Sequence, residues 1–294
     1  MGANRDYGIA PPRFQLPDAT HVGAIRLQVS DVERSIAYYT QLLGFTPGER
    51  DRHSVRLHVG GAREHLIELQ ERPGTTPVPQ RGLLGLYHFA ILLPSRADLG
   101  RFVKHIVAAG VQFGAADHLV SEATYLWDPD NLGIEVYADR PRESWHTNGR
   151  ELMMTTERLD VDAVIGAGGG EPWSGMPAGT TMGHMHLSVG DLAAARSFYH
   201  EALGLEQVVW SYPGALFMSA GGYHHHLGTN TWARGARAAT DADARLLEWE
   251  LRLPTDESVA EALESLKGSG YTPNGSVIAD PWGTRLRVKA PIYC

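Results

Sequence analysis

Apolar and polar positions along this chain repeat one pattern: a strand-like alternation, an aspartate, a stretch of helical period, then a glycine. Val29-Ser30-Asp31 through Leu43-Gly44-Phe45 reads VSDVERSIAYYTQLLGF, and 160 residues later Val189 to Leu205 reads VGDLAAARSFYHEALGL. Asp suits a helix N-cap and Gly a left-handed C-terminal cap. A second element recurs with the same shift. Leu86–Ser95 (LYHFAILLPS) matches Leu246–Thr255 (LLEWELRLPT), and each precedes a helical segment, roughly 96–110 and 256–270. Each then reaches an Asp-Pro turn and a last strand, DPDNLGIEVY from Asp128 and DPWGTRLRV from Asp280. The chain therefore divides into four modules starting near residues 22, 85, 182 and 245, each a strand, a helix and about three strands. Gly/Pro-rich segments at Arg72–Leu84 and Ile165–Thr181 separate them. The implied organisation is a loose arm over 1–18, a half over 19–145 (modules 1 and 2), a linker over 146–181 and a half over 182–294 (modules 3 and 4).

Composition narrows the function classes. With 294 residues, 43% apolar and 20% charged, the chain reads as globular. A net charge of -8 without any basic run argues against a nucleic-acid partner. No apolar stretch approaches the ~20 residues that span a bilayer, so no membrane association is expected. A single cysteine, Cys294, and a start at Met1-Gly2-Ala3-Asn4 with no apolar leader fit a reducing compartment, the cytoplasm. Fourteen histidines change the picture only through where they fall.

The repeated βαβββ unit, with apolar-His-apolar on a first strand and DPDN…IE on a last one, resembles the vicinal-oxygen-chelate superfamily, also known as glyoxalase/bleomycin resistance/dioxygenase proteins. Tyr223–Trp232 (YHHHLGTNTW), YHFAILLP from Tyr87, and Asp117–Arg142 (DHLVSEATYLWDPDNLGIEVYADRPR) are similar to bacterial catechol 2,3-dioxygenases of the type I extradiol class. The resemblance covers about residues 20–290. It implies an α+β fold of four βαβββ modules forming two cup-shaped mixed sheets, with metal ligands drawn from first and last strands. It also implies an Fe(II) cofactor, and a small aromatic diol and O2 as substrates.

Aligning the modules places Ala24, His88, His184 and Glu248 at the inward first-strand position, and Glu68, Glu135, Gly228 and Arg287 on the last strands. If modules pair 2 with 3 and 1 with 4, one cup holds His88, His184, Glu135 and a small Gly228. The other holds Glu68, Glu248, Arg287 and Ala24. The first set is the two-His, one-carboxylate triad of non-haem Fe(II) oxygenases; the second can close as an ion pair. Sequential pairing stays open, with His184 recruiting His226 and Glu248, or with a metal on His88, Glu135 and Glu68. A lone histidine on an apolar strand is more often a hydrogen-bonded core residue. An ionised glutamate in GIEVY, by contrast, is costly to bury without a cation.

Proton transfer to and from a diol calls for a histidine near the metal but not bound to it. Strand alternation puts His224, His226 and Gly228 on one face and His225 on the other, making His226 the expected acid–base residue and His224 the second choice. Tyr125, ten residues before Glu135, resembles the extradiol tyrosine that bonds the substrate oxygen, and His118 resembles a second active-site histidine. Tyr125 could equally be an aromatic packing residue, and the loop between His118 and Tyr125 differs from that of the extradiol enzymes. His186 and Tyr137 share faces with the ligand positions, while His53 and His58 match none. The same scaffold also supports isomerases using two acidic ligands, and non-catalytic small-molecule-binding modules. Unpaired sheet edges leave room for a homo-oligomer.

Overall fold

A computed structural model describes residues 7–291. Module 1 comprises β1 (His21–Val29), α1 (Val32–Ala37), β2 (Thr46–Arg50), β3 (Ser54–His58) and β4 (His65–Glu71). Module 2 comprises β5 (Gly85–Leu92), α2 (Arg96–Ala108), β6 (Gly114–Asp117), β7 (Ser121–Trp127) and β8 (Gly133–Asp139). The connecting segment carries a short hairpin, β9 (Thr147–Asn148) and β10 (Glu151–Leu152), then α3 (Val161–Ala167). Module 3 comprises β11 (Thr181–Ser188), α4 (Leu192–Ala195), β12 (Glu206–Val209), β13 (Ala215–Ser219) and β14 (Leu227–Asn230). Module 4 comprises β15 (Arg245–Arg252), α5 (Asp256–Gly268), β16 (Val277–Ala279) and β17 (Arg285–Lys289). Only two strands follow α5, where about three were expected.

The caps are those read from the sequence. Asp31 and Asp191 accept backbone N–H groups from Arg34 and Ala194, while Gly44 and Gly204 end their helices in the left-handed region. Both short helices widen into a π-helical turn, Tyr38–Leu42 and Arg196–Ala202. That turn carries a tyrosine inward: the hydroxyls of Tyr39 and Tyr199 donate to Asp128 and Asp280, the aspartates of the Asp-Pro turns in the next module.

Two sheets result, ordered β12-β13-β14-β11-β5-β8-β7-β6 and β16-β17-β15-β1-β4-β3-β2. Within a module the first and last strands pair in parallel; across modules the first strands pair antiparallel, β5 with β11 and β1 with β15. Modules therefore pair 2 with 3 and 1 with 4, and the sequential alternative does not form. Neither 19–145 nor 182–294 closes a sheet alone. The period-2 alternation sends Phe89, Ile91, Met185, Leu187, Trp249 and Leu251 into one core shared by both sheets and their helices. The opposite faces become the two cups.

The first residues are not all a loose arm. Over 7–18 the chain packs on module 3, where Leu16 is buried and its N–H bonds the Gly204 carbonyl, and Ile9 bridges Gln207. Residues 1–6 and Cys294 lie outside the described residues. No helix among those described is long and apolar enough to cross a membrane.

Gly133 opens β8 where strands β5 and β8 meet; a Cβ there would lie 2.2 Å from the Tyr87 carbonyl oxygen and 3.1 Å from the His88 Cβ. Gly133→Ala is expected to cost about 1–3 kcal/mol in denaturant unfolding. Gly166→Ala, on the open side of α3, should be neutral or stabilising by up to ~1 kcal/mol. Equal effects of the two would refute the close-approach explanation.

Candidate metal centre and its cavity

The centre is built over one small residue. In the β8-β5-β11 row, Ala90 lies opposite Glu135 on one side and His184 on the other. Neighbouring strands are about 4.8 Å apart, so the two long side chains lean toward each other across the alanine methyl. His88, two residues earlier on β5, reaches the same spot diagonally. A bulge between Met182 and His184 puts Met182 in the core yet turns His184 into the cup. Gly183 makes this possible, because a Cβ there would fall 1.8 Å from the Tyr137 hydroxyl.

His88 Nε2 and His184 Nε2 lie 3.0 and 3.2 Å from the same oxygen, Glu135 Oε2. The three ligand atoms all fall within 4.8 Å of one another, and all three residues are buried. His88 Nε2 makes no aligned hydrogen bond despite its short distance. Two nitrogens converging on one buried carboxylate oxygen is an arrangement that a shared cation would satisfy. Burial by itself would raise the Glu135 carboxyl, but the imidazoles of His184 and His88 hold it well below the carboxylate range. Burial depresses His184 to about 4, against the opposing pull of Glu135. An ionised Glu135 and a neutral His184 are the protonation states that metal ligation requires.

The other cup is closed by its own charges. Arg287 grips Glu248 through Nε and Nη2 at 2.7 and 3.2 Å, Arg285 adds a contact at 3.3 Å, and Arg56 reaches Glu68 at 3.5 Å. Equivalent positions of the repeat thus hold an ion pair in one sheet and a convergent donor set in the other. His53 pairs with Glu71 at the surface, and neither it nor His58 approaches the centre.

Above the donor set opens a cavity of about 350 Å3, lined by Tyr125, His118, His186 and His225 among others. Tyr125 Oη is 2.5 Å from His118 Nε2, and His118 Nδ1 faces the Thr155 carbonyl at 2.6 Å. A carbonyl can only accept, so His118 Nδ1 carries hydrogen, and the neutral ring takes the Tyr125 proton donation at Nε2. Burial first, and then the Glu135 charge, pushes the Tyr125 hydroxyl well up. Thr155 belongs to the connecting segment, so residues 146–181 wall the cavity as well as linking the halves. Gly228 leaves space for the His186 ring, whose Cγ would lie 3.0 Å from a Cβ there.

Of the three consecutive histidines, the one at the cavity is not the expected His226 or His224. His226 does not line the cavity; its Nδ1 accepts the Ala220 N–H at 3.2 Å and lies 3.2 Å from the Ser219 hydroxyl. His224 is also withdrawn, with Nε2 2.9 Å from Asp139 Oδ1. His225 is the one in the cavity wall, its ring centroid 4.0 Å from that of His184. Alternation failed because β14 starts only at Leu227, after a turn through Gly221 and Gly222 at positive φ. The adjacent glycines were the sequence signal that strand counting should not extend back to the histidines. His224 Nδ1 and His225 Nδ1 are 2.7 Å apart. With the Asp139 carboxylate accepting at His224 Nε2, the Nδ1 of His224 accepts in turn from His225 Nδ1–H. The lone pair of neutral His225 is then at Nε2.

Paired modules and a two-imidazole, one-carboxylate donor set beneath a cavity define a class, that of α+β repeat proteins equipped to chelate a metal. The chain belongs to the Glyoxalase/Bleomycin resistance protein/Dioxygenase superfamily, whose family model matches residues 20–136 and 181–291. It is 40% identical over 270 residues to a catechol-2,3-dioxygenase of Bacillus subtilis (strain 168), covering 89% of this chain and 94% of that protein. That likeness supports a dioxygenase of this superfamily. Among solved structures, glyoxalase I from Zea mays matches with a TM-score of 0.55 at 15% identity, covering 92% of each chain. A protein from Bacillus subtilis subsp. subtilis str. 168 matches with a TM-score of 0.61 at 13% identity, covering 94% of this chain and 86% of that one. Both show the fold alone.

Buried His226 has its pKa lowered to about 3, first by desolvation and then by His224. The unfolded chain, with a histidine pKa near 6.5, therefore takes up this proton first. The stability tied to a neutral His226 is present above pH ~6.5 and is lost as pH falls toward 3. Urea unfolding of His226→Gln is expected to lose about 1–2 kcal/mol less than the parent between pH 7 and 5. An unchanged pH slope would count against it.

Proposed function

We propose that this chain is an Fe(II)-dependent extradiol dioxygenase that opens the ring of catechol or a substituted catechol with O2, giving a 2-hydroxymuconic semialdehyde-type product. The observation that carries the reading is the convergence of His88, His184 and Glu135 at the floor of a cavity that also presents His225, Tyr125 and His118. Two imidazoles and one carboxylate form the donor set that suits ferrous iron and leaves coordination positions free. Bound there, iron supplies the redox chemistry that brings a diol and O2 together.

The chain's own groups do the rest. His225 Nε2 takes a proton from the incoming diol and later returns it to oxygen as the ring opens. Asp139 and His224 behind it keep the lone pair on that nitrogen. Tyr125, whose proton is given to His118, presents its oxygen as an acceptor to a protonated substrate hydroxyl, replacing water at a buried position. The mostly apolar walls keep bulk water from the reacting atoms. Among the described residues, Glu135 is the only carboxylate lining the cavity, and Glu68 belongs to the other sheet. An isomerase needing two acidic ligands is therefore the weaker reading.

Anaerobic reconstitution should give about one iron per chain, and catechols added in air should drive oxygen uptake with a yellow product. His184→Ala should abolish iron binding. His225→Phe should keep iron and lower kcat by about 10²–10⁴, whereas His226→Gln should leave both near the parent values. Stoichiometric zinc or nickel with no oxygen uptake across a catechol panel would overturn the proposal.

A further inference from the structure

We infer that the preferred substrate is a catechol bearing an uncharged apolar substituent, held against an aromatic wall at the cavity mouth, and not a carboxylated catechol. The inference rests on the ring-cleavage reading and specifies its substrate class.

Size comes first. A cavity of about 150 Å3 already holds a benzene ring, and this one measures about 350 Å3. The diol oxygens are directed to the donor set at the floor, so the spare volume lies toward the mouth.

The chemistry of that volume is one-sided. Tyr87, Tyr212, Phe217 and Trp232 form a contiguous wall, with ring centroids 5.4 Å apart for Tyr87–Trp232, 5.6 Å for Tyr212–Phe217 and 6.3 Å for Tyr212–Trp232. Trp127 stands on the module 2 side, and Met154 from the connecting segment completes the enclosure. Tyr87, Trp127 and Trp232 are 45%, 54% and 45% exposed, which is unusual for large aromatic groups and leaves ring surface free for a ligand. Among the described residues, no lysine or arginine lines the cavity. A carboxylate on the substituent, away from the diol, would thus be desolvated with no lysine or arginine beside it to receive it. Each methylene buried against the wall should instead gain about fourfold in affinity.

The test is anaerobic titration of the ferrous protein, followed by tryptophan fluorescence, with catechol, 3- and 4-propylcatechol, and 3,4-dihydroxyphenylacetate. The better propyl isomer should bind roughly tenfold or more tighter than catechol, and the carboxylated compound no tighter than catechol. Trp232→Ala should weaken propylcatechol binding several-fold more than catechol binding, shrinking the propyl advantage. Met154→Lys should improve binding of the carboxylated compound, since a cation then faces the cavity. If catechol binds and is cleaved but the carboxylated compound equals or exceeds both propyl isomers, this inference fails while the ring-cleavage reading stands. If catechol neither binds nor is cleaved, both fail.

Discussion

Everything distinctive about this protein depends on one buried carboxylate. Glu135 sits on a strand flanked by Ile134 and Val136, both fully buried in the shared core. An ion in that position is tolerated only with compensating partners, and here they are imidazoles from two different modules. That requirement ties the chemistry to the topology. The partners arrive only because β5 and β11 pair antiparallel, with Ala90 between Glu135 and His184, and because the bulge at Gly183 turns His184 to the cup side.

The two sheets share a plan and differ in what fills it. Where one presents His88, His184 and Glu135, the other presents Glu248 locked to Arg287. A guanidinium brings its own positive charge and binds a carboxylate bidentately, so that cup is satisfied from within. Imidazole nitrogens bring no permanent charge of their own, which leaves the first cup able to take one from outside. Strand pairing joins modules 2 with 3 and 1 with 4, while the Tyr39–Asp128 and Tyr199–Asp280 bonds join 1 with 2 and 3 with 4. The modules are cross-tied in both senses, which holds the two halves of the donor set in one frame.

Much of this was legible along the chain. The aspartate caps, the glycine stops and the spacing of the repeats follow from local backbone chemistry, and local chemistry is written in consecutive residues. The module alignment placed His88 and His184 at equivalent positions, and the structure relates them across the Met185–Phe89 pair. The crossed pairing was favoured along the chain, because it separates a donor set from an ion pair, but the sequential pairing stayed open until the strand order decided it. Reading residues 7–18 as loose failed because the burial of Leu16 depends on module 3, some 190 residues further on.

The sequence by itself therefore determined the modules and their caps, since period and composition are set residue by residue, and it narrowed the donor atoms to alternatives that only the strand pairing separates. Tertiary structure alone decided which of three adjacent histidines enters the cavity, because a two-glycine turn ends the alternation that strand counting assumes. It also decided the substrate's surroundings. Tyr87, Trp232, Met154 and Thr155 come from separate segments, and only the closing of the β5–β11 sheet beneath the connecting segment makes them neighbours.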